Sequence, residues 1–362
     1  MGYLVLFGRS TLKSNLILIS ILAISLFSGT PQVFSQEPLA GPFMLRDQFP
    51  IRALFLGLRP ETGHLLPLKT SQWVVRFCYS NTYASTRPLG DPMVAGDYYK
   101  SAPLNEYRLF ADTETLRVAL DLDWRLTSML QIGLTLPFIR HSGGFLDGFV
   151  EDFHKLFKLT NGGREETPRN NHGVFVVRNG KFWIENTKAA SFNLGDIVLR
   201  IKLPLYHHKD IFNISMSGAL KLPTGNIDKL TGSGGIDVQA ALFASWSPYK
   251  KLAVHYNLSH SWLGNPLQTK AFPVRSILTN LIAFEYLATN RLKAQVQINS
   301  NTGPFPDSRL GPLNRTAFEV SGGTKYGFSD NMTLELAIIE NLSQYQNTPD
   351  IGIHVGILWR YP

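Results

Sequence analysis

The chain contains one cysteine, Cys78, so no disulfide can close within it and a disulfide-stapled secreted scaffold is excluded. Beyond its N-terminus it has no run approaching the roughly 18 consecutive apolar residues that a transmembrane helix needs. No block of five or six like charges interrupts it, so the formal charge of +8 is spread thinly and gives no footprint for nucleic acid. Acidic solutes or lipopolysaccharide would still feel such a field. A phosphate-cradling loop of the Walker type is missing. The adjacent histidines of "HHKD" (His207–Asp210) and the isolated His154 have no partners at metal-ligand spacing. The sequence therefore predicts no cofactor, no metal and no catalytic residue.

What the N-terminus does contain is Arg9 and Lys13, then the apolar run "LILISILAISLF" and the small-residue site "VFS" before Gln36. A positive start, a short apolar core and such a site describe a secretory signal peptide over residues 1–35. The alternatives, an anchor or a buried helix, fit less well because the run is too short to span a bilayer. An exported chain without transmembrane helices is either soluble or a membrane barrel.

The interior of the chain decides between these. In "TLRVALDLDWRL", Leu116, Val118, Leu120, Leu122, Trp124 and Leu126 share one face, while Arg117, Ala119, Asp121, Asp123 and Arg125 share the other. This alternation outlasts the five or six residues of an average globular strand and suits the ~9–11 of a membrane strand. It recurs in "MLQIGLTLPF", in "DIVLRIKLPL" with Arg200 and Lys202 on the polar face, in "GGIDVQAALFASW", and in further segments to the C-terminus. Only the strand near 275–288 is ambiguous in phase. With a first strand at "QWVVRFCYSN", twelve strands are expected. Short connections ("TS", "YHHKD", "SPYKK", "ATN", "FSDN") alternate with long ones at 84–112, 141–190, 223–234, 263–274, 301–314 and 341–349. Short periplasmic turns and long extracellular loops characterise outer-membrane barrels. Trp73, Trp124, Trp246, Trp359, Tyr286 and Tyr326 would form the periplasmic aromatic girdle, and Phe138 and Trp262 would serve the opposite rim.

The predicted fold is thus all-β, a transmembrane antiparallel barrel of about twelve strands over residues 71–362, placed in the bacterial outer membrane. Residues 36–70 show no strand pattern and suit a plug entering from the periplasmic side. Lipid bilayer and lipopolysaccharide are the expected surroundings. The last strand, "IGIHVGILWRY", resembles the C-terminal signal read by the outer-membrane assembly machinery: Gly356, Trp359 and Tyr361 fit it, whereas Val355 and the trailing Pro362 depart from it.

One segment breaks the two-residue rhythm. In "SGGFLDGFVEDFHKLFKLTNGGRE", Leu146, Phe149, Val150, Phe153, Leu156, Phe157 and Leu159 recur at helical spacing, with Asp147, Glu151, Asp152, Lys155 and Lys158 mostly opposite. Asp147 suits the start of the helix dipole and Lys155 and Lys158 its end, and Asn161-Gly162-Gly163 supplies the stop. The same 141–190 loop carries a hairpin signal, "VFVVRNGKFWIE", turning at Asn179-Gly180. The helix packs on the rim or on lipopolysaccharide, or it is a lid whose Phe149, Phe153, His154 and Phe157 meet a ligand, or it binds a partner.

The words "GGFLDGFVEDFHKLFKL" and "NGGRE", with "GPFMLRDQFP" near the start of the exported chain, resemble an uncharacterised bacterial outer-membrane family, domain of unknown function 3187. "KLPTGN" and "TGSGGID" are similar to a broader set of barrels, some linked to uptake of aromatic compounds. Neither resemblance brings a reaction or a ligand to particular residues.

An outer-membrane hydrolase would need a nucleophile and base. "HYNLSHSWLGN" sets His255, Ser259 and Ser261 on the lumen face, without an oxyanion-hole pattern or a fixed acid. The charged inward face is more telling, with Arg117, Asp121, Asp123, Arg125, Arg200 and Lys202 as candidate lumen lining. Isolated charges are tolerable there only around water or in paired networks. Passive passage or binding of a small polar or amphipathic solute, gated by the loop helix, is the expected function. A non-conducting structural barrel is the first alternative and a lipid-modifying enzyme the second.

Overall fold

The computed structural model describes residues 41–88, 90, 95–158, 161–208, 211–264, 273–342 and 346–361. The signal peptide expected over residues 1–35 lies outside the described residues.

Fifteen strands join one sheet. They are β1 (Ser71–Ser85), β2 (Tyr107–Arg125), β3 (Gln131–Ser142), β4 (Gly173–Arg178), β5 (Lys181–Asn186), β6 (Asn193–Leu194), β7 (Val198–His208), β8 (Phe212–Lys221), β9 (Asp237–Tyr249), β10 (Leu252–Trp262), β11 (Ile277–Leu287), β12 (Leu292–Asn301), β13 (Ala317–Gly327), β14 (Met332–Asn341) and β15 (Ile351–Tyr361). Neighbours pair antiparallel, and β15 returns to β1 with Ser71 opposite Tyr361 and Asn81 opposite Ile351. Leaving aside the β4–β5 hairpin and the two-residue β6, twelve strands close a barrel. Closure removes the sheet edges that lipid could not satisfy.

The alternation read from the sequence sets which side chains face lipid. Leu199, Ile201, Met216, Leu242, Phe284, Val296 and Ile338 are exposed on the outside. Asp121, Lys202, Ser215, Asp237, Glu285, Lys325 and Glu335, on the opposite faces, are buried within. In β11, Leu278, Ile282, Phe284 and Tyr286 point out and Thr279, Leu281, Ala283 and Glu285 point in, which resolves the ambiguous phase. Trp73 and Trp359 are register partners beside the short turns, where Trp246, Tyr286 and Tyr326 are also exposed. Phe138 and Trp262 are exposed toward the long-loop end. These are the two aromatic belts.

The wall is taller on one side than the expected loop boundaries allow. The 84–112 connection is shorter than read from the sequence: β1 runs to Ser85 and β2 starts at Tyr107, with Ser85 opposite Phe110. A short helix α1 (Ala95–Lys100) stands between them. The β4–β5 hairpin then pairs with the upper half of β2, Tyr107 opposite Arg178 and Asp112 opposite Gly173. Its turn residues Asn179 and Gly180 have φ of 53° and 69°, as a type I′ turn requires. Both faces of this extension are covered: Tyr99, Phe110, Phe175 and Phe182 pack on one side and Leu109, Val174 and Val176 on the other.

Candidate functional site: a filled lumen and its helical loop

Residues 41–66 have no strand or α-helix, only a 3-10 turn at Arg52–Leu54. An irregular backbone inside a barrel needs side-chain partners for its own N–H and C=O groups. The inward polar residues supply them. The N–H of Gly41 donates to Glu285 Oε2 at 2.9 Å, that of Phe43 to Gln297 Oε1 at 2.9 Å, and that of Leu56 to Asp237 Oδ2 at 2.8 Å. Those of Glu61, Gly63 and Leu66 donate to Asn257 Oδ1, Ser245 Oγ and Gln131 Oε1. Lys202 Nζ donates to the carbonyls of Thr62 and His64, and Lys325 Nζ to that of Gly41. The strands involved lie on opposite sides of the barrel, so the segment runs through its interior. At Gly63 the approach is close enough to require glycine, because a Cβ there would stand 2.2 Å from the carbonyl oxygen of Asn213.

Ion pairs fasten the same segment. Glu61 lies 2.9 Å from Lys202 Nζ, and Arg59 Nη2 lies 2.5 Å from Asp123 Oδ2. On the wall, Arg76 Nε meets Asp121 Oδ2 at 2.5 Å, and Arg200 Nη2 stands 3.5 Å and 3.6 Å from Asp121 and Asp123. Lys221 joins Asp196 at 2.5 Å and Asp237 at 3.3 Å. Apolar side chains of the segment are met by apolar residues at inward positions: Phe43 and Leu45 by Cys78 and Ile339, Leu58 by Phe243 and Leu281, Leu56 by Val198 and Ala219. Of the candidate lining residues, Arg117, Asp121, Asp123, Arg200 and Lys202 are buried in this interior. Arg125 is at the short-turn end, where it donates to the carbonyls of Leu66, Thr127 and Ser128.

His255 acquires neighbours that its own strand did not reveal. Ser245 Oγ is 2.7 Å from its Nδ1, and Glu285 Oε2 is 3.4 Å from its Nε2. Ser, His and Glu thus adjoin, but the serine oxygen receives the N–H of Gly63 and the carboxylate receives that of Gly41. All three side chains are buried against the segment they hold, with no approach for a substrate. Ser245 and Glu285 come from β9 and β11, so only the register between strands could have brought them to His255.

Across the long-loop end lies the helix α2 (Asp147–Phe157). Its packing differs from the sequence expectation. Leu146 and Val150 do face inward, against Tyr79 and Ile351. Asp147 and His154 also lie on the buried side. Phe149, a candidate ligand contact, is 56% exposed, and Leu156 is exposed as well. Phe153 is half-buried with its ring 6.4 Å from that of Phe149, and His154 Nδ1 is 3.0 Å from Asn161 Oδ1. The side chain of Phe157 lies outside the described residues. The reason for the rotation is electrostatic. Arg164, buried beneath the loop, pairs with Asp147 and Asp350 and donates to Asn81 Oδ1 at 2.7 Å. Asp147 also accepts from Asn81 Nδ2 at 2.8 Å and from the N–H of Asn170 at 2.6 Å. Instead of facing solvent at the helix start, Asp147 is turned in to complete this network. Burial would push the Asp350 carboxyl up and does so on balance, although Arg164 opposes it. For Arg164 burial is outweighed by Asp350 and Asp147, and its proton is held more tightly than usual.

A closed twelve-stranded wall with an apolar exterior, two aromatic belts and a polar interior defines a transmembrane β-barrel of the outer-membrane type. The chain belongs to the family described as protein of unknown function DUF3187, whose model matches residues 30–361. No curated protein matches it. Among solved structures it is similar to the COG4313 outer-membrane channel from Pseudomonas putida F1, at 12% identity and a TM-score of 0.53, covering 84% of this chain and 100% of that one. The NanC porin follows at 9% identity and 0.41, covering 79% and 98%. The Pseudomonas putida toluene transporter TodX gives 10% and 0.37, covering 88% and 98%.

Proposed function

We propose that the protein is an outer-membrane channel for a small polar or amphipathic solute, shut at rest by residues 41–66 acting as a plug. The observation that carries this reading is how the segment is held. Its backbone is bound by side chains of a wall that is itself polar, so its removal would leave a wet, charged passage rather than an exposed apolar core. A fold shared with a protein described as an outer-membrane channel supports the reading. The short turns would face the periplasm and the α2 loop the exterior, where the helix restricts the mouth.

Conductance in a planar bilayer tests the proposal. The exported chain should be largely silent, and deletion of residues 41–66 should open stepwise currents. Thr62 Oγ1 lies 3.0 Å from Ser245 Oγ, so Thr62→Cys with Ser245→Cys should lock the plug and make any residual opening sensitive to reductant. A deletion variant that folds yet stays silent would establish the alternative, a closed scaffold, which the filled interior of the resting state favours.

A further inference from the structure

Between the segment and the wall lies a cavity of about 30 Å³ lined by Arg46, Arg59, Arg76, Arg117 and Arg200, together with Thr135, Gln239 and apolar groups; no carboxylate is among its lining residues. Three of these arginines are neutralised from behind: Arg59 by Asp123, Arg76 by Asp121, and Arg200 by both at longer range. The other two are not. Arg46 gives its Nη2 to the carbonyls of Ala53 and Phe55 and has no ion pair, since the adjacent Asp47 is taken by Arg52 at 2.8 Å. Arg117 is 6% exposed and, among the described residues, makes no hydrogen bond and no ion pair. Arg46 Nε and both Nε and Nη2 of Arg200 are also buried without a hydrogen-bond acceptor.

A buried lysine or histidine in this position could shed its proton, but a guanidinium cannot. An uncompensated buried charge costs several kcal/mol, and water offers acceptors without offering charge. We infer that the Arg46–Arg117–Arg200 cavity binds a small monovalent anion of halide size, clasped between the internal segment and β2, β7 and their neighbours. The volume sets the upper limit: it has room for about one or two waters, which suits a halide and excludes phosphate while the segment is seated. The anion would act as a third partner between segment and wall, joining Arg46 of the segment to Arg117 and Arg200 of the wall. This inference does not depend on conduction, since it concerns the seated state alone.

Bromide is the probe. Crystals of the full exported chain grown in sodium bromide should show an anomalous peak beside Arg117. Thermal unfolding in detergent at fixed ionic strength should have a higher midpoint in chloride or bromide than in gluconate, which is too bulky to enter. Arg117→Met should abolish both the peak and the halide effect. Should Arg117→Met not fold, Arg46→Met serves in its place, and the wild-type measurements stand by themselves. No peak in the wild type, equal midpoints in halide and gluconate, or an effect unchanged in a folded variant would each overturn the assignment.

Discussion

Arg59, in the middle of the internal segment, donates two hydrogen bonds to Asp123 of β2, Nη1 to Oδ1 at 3.0 Å and Nη2 to Oδ2 at 2.5 Å. Both side chains are at least nine-tenths buried. A bidentate pair fixes orientation as well as distance, so it sets the depth at which the segment sits. Removing one member of such a pair leaves the other charge buried alone and costs about 3–5 kcal/mol. Arg59→Met should therefore raise hydrogen exchange across residues 41–66 while the barrel strands stay protected. Unchanged exchange in the segment would mean that its backbone bonds alone suffice.

The outward face of the barrel was legible in the sequence because lipid imposes a strict rule on it. One apolar residue is needed at every second position, and the phase could be read from "TLRVALDLDWRL" without any partner strand. The inward face follows no such rule, because it answers to the chain that fills it. Val198, Phe243, Leu281 and Ile339 are apolar at inward positions since they meet Leu56, Leu58, Phe43 and Leu45. That is also why β11 looked ambiguous. The upper part of β2 looks like loop in the sequence because both of its faces are covered and its alternation is lost. Apolar residues out of phase with the polar inner face were the available sign of an occupant. The helix α2 was legible as a helix from its 3.6-residue period, but its facing was not. Asp147 and His154 turn inward toward Arg164 and Asn161, partners that no helical period encodes.

Arg164 should be the fastener of the α2 loop, because it joins Asp147 at the helix start to Asp350 at the foot of β15. Its ring contact, 5.1 Å above Tyr83, adds to the bond from Tyr83 Oη to the Gly163 carbonyl. Arg164→Met would strand two acids and release residues 143–170 to protease at rates many times those of the parent. Arg164→Lys should recover only part of the resistance, since an ammonium cannot span both carboxylates in the fork geometry. Full resistance in Arg164→Lys would show that charge alone holds the loop.

Gly144 offers a sharper backbone test. Its φ is +68°, and a Cβ would fall 1.8 Å from the Glu114 carboxyl, which accepts the N–H groups of Phe145 and Leu146. Gly144→Ala meets both the left-handed penalty, on the order of 1–3 kcal/mol, and displacement of Glu114. Exchange of the Phe145 and Val150 amides should accelerate as the first turn of α2 lifts. If the Glu114 clash matters more than φ, Gly144→Asn, which tolerates the left-handed region, should do no better.

Acid should loosen the same loop from its other end through His172. Its Nδ1 lies 2.8 Å from Thr113 Oγ1 and its Nε2 lies 2.6 Å from Asn186 Oδ1, tying the base of the β4–β5 hairpin to β2. Burial lowers the imidazole below its ordinary value near 6.5, with the Asn186 hydrogen bond opposing in part. In the undocked loop the ring would take up a proton near pH 6.5, whereas the docked ring refuses it until lower pH. Docking is therefore at full strength above about pH 6.5 and weakens progressively as pH falls toward the depressed value. Hydrogen exchange of Val174 and Val176, corrected for the intrinsic pH dependence, should rise between pH 7.5 and pH 5. His172→Gln keeps a donor and an acceptor without titrating and should flatten that rise. A rise of the same size in the variant would place the acid sensitivity elsewhere in the loop.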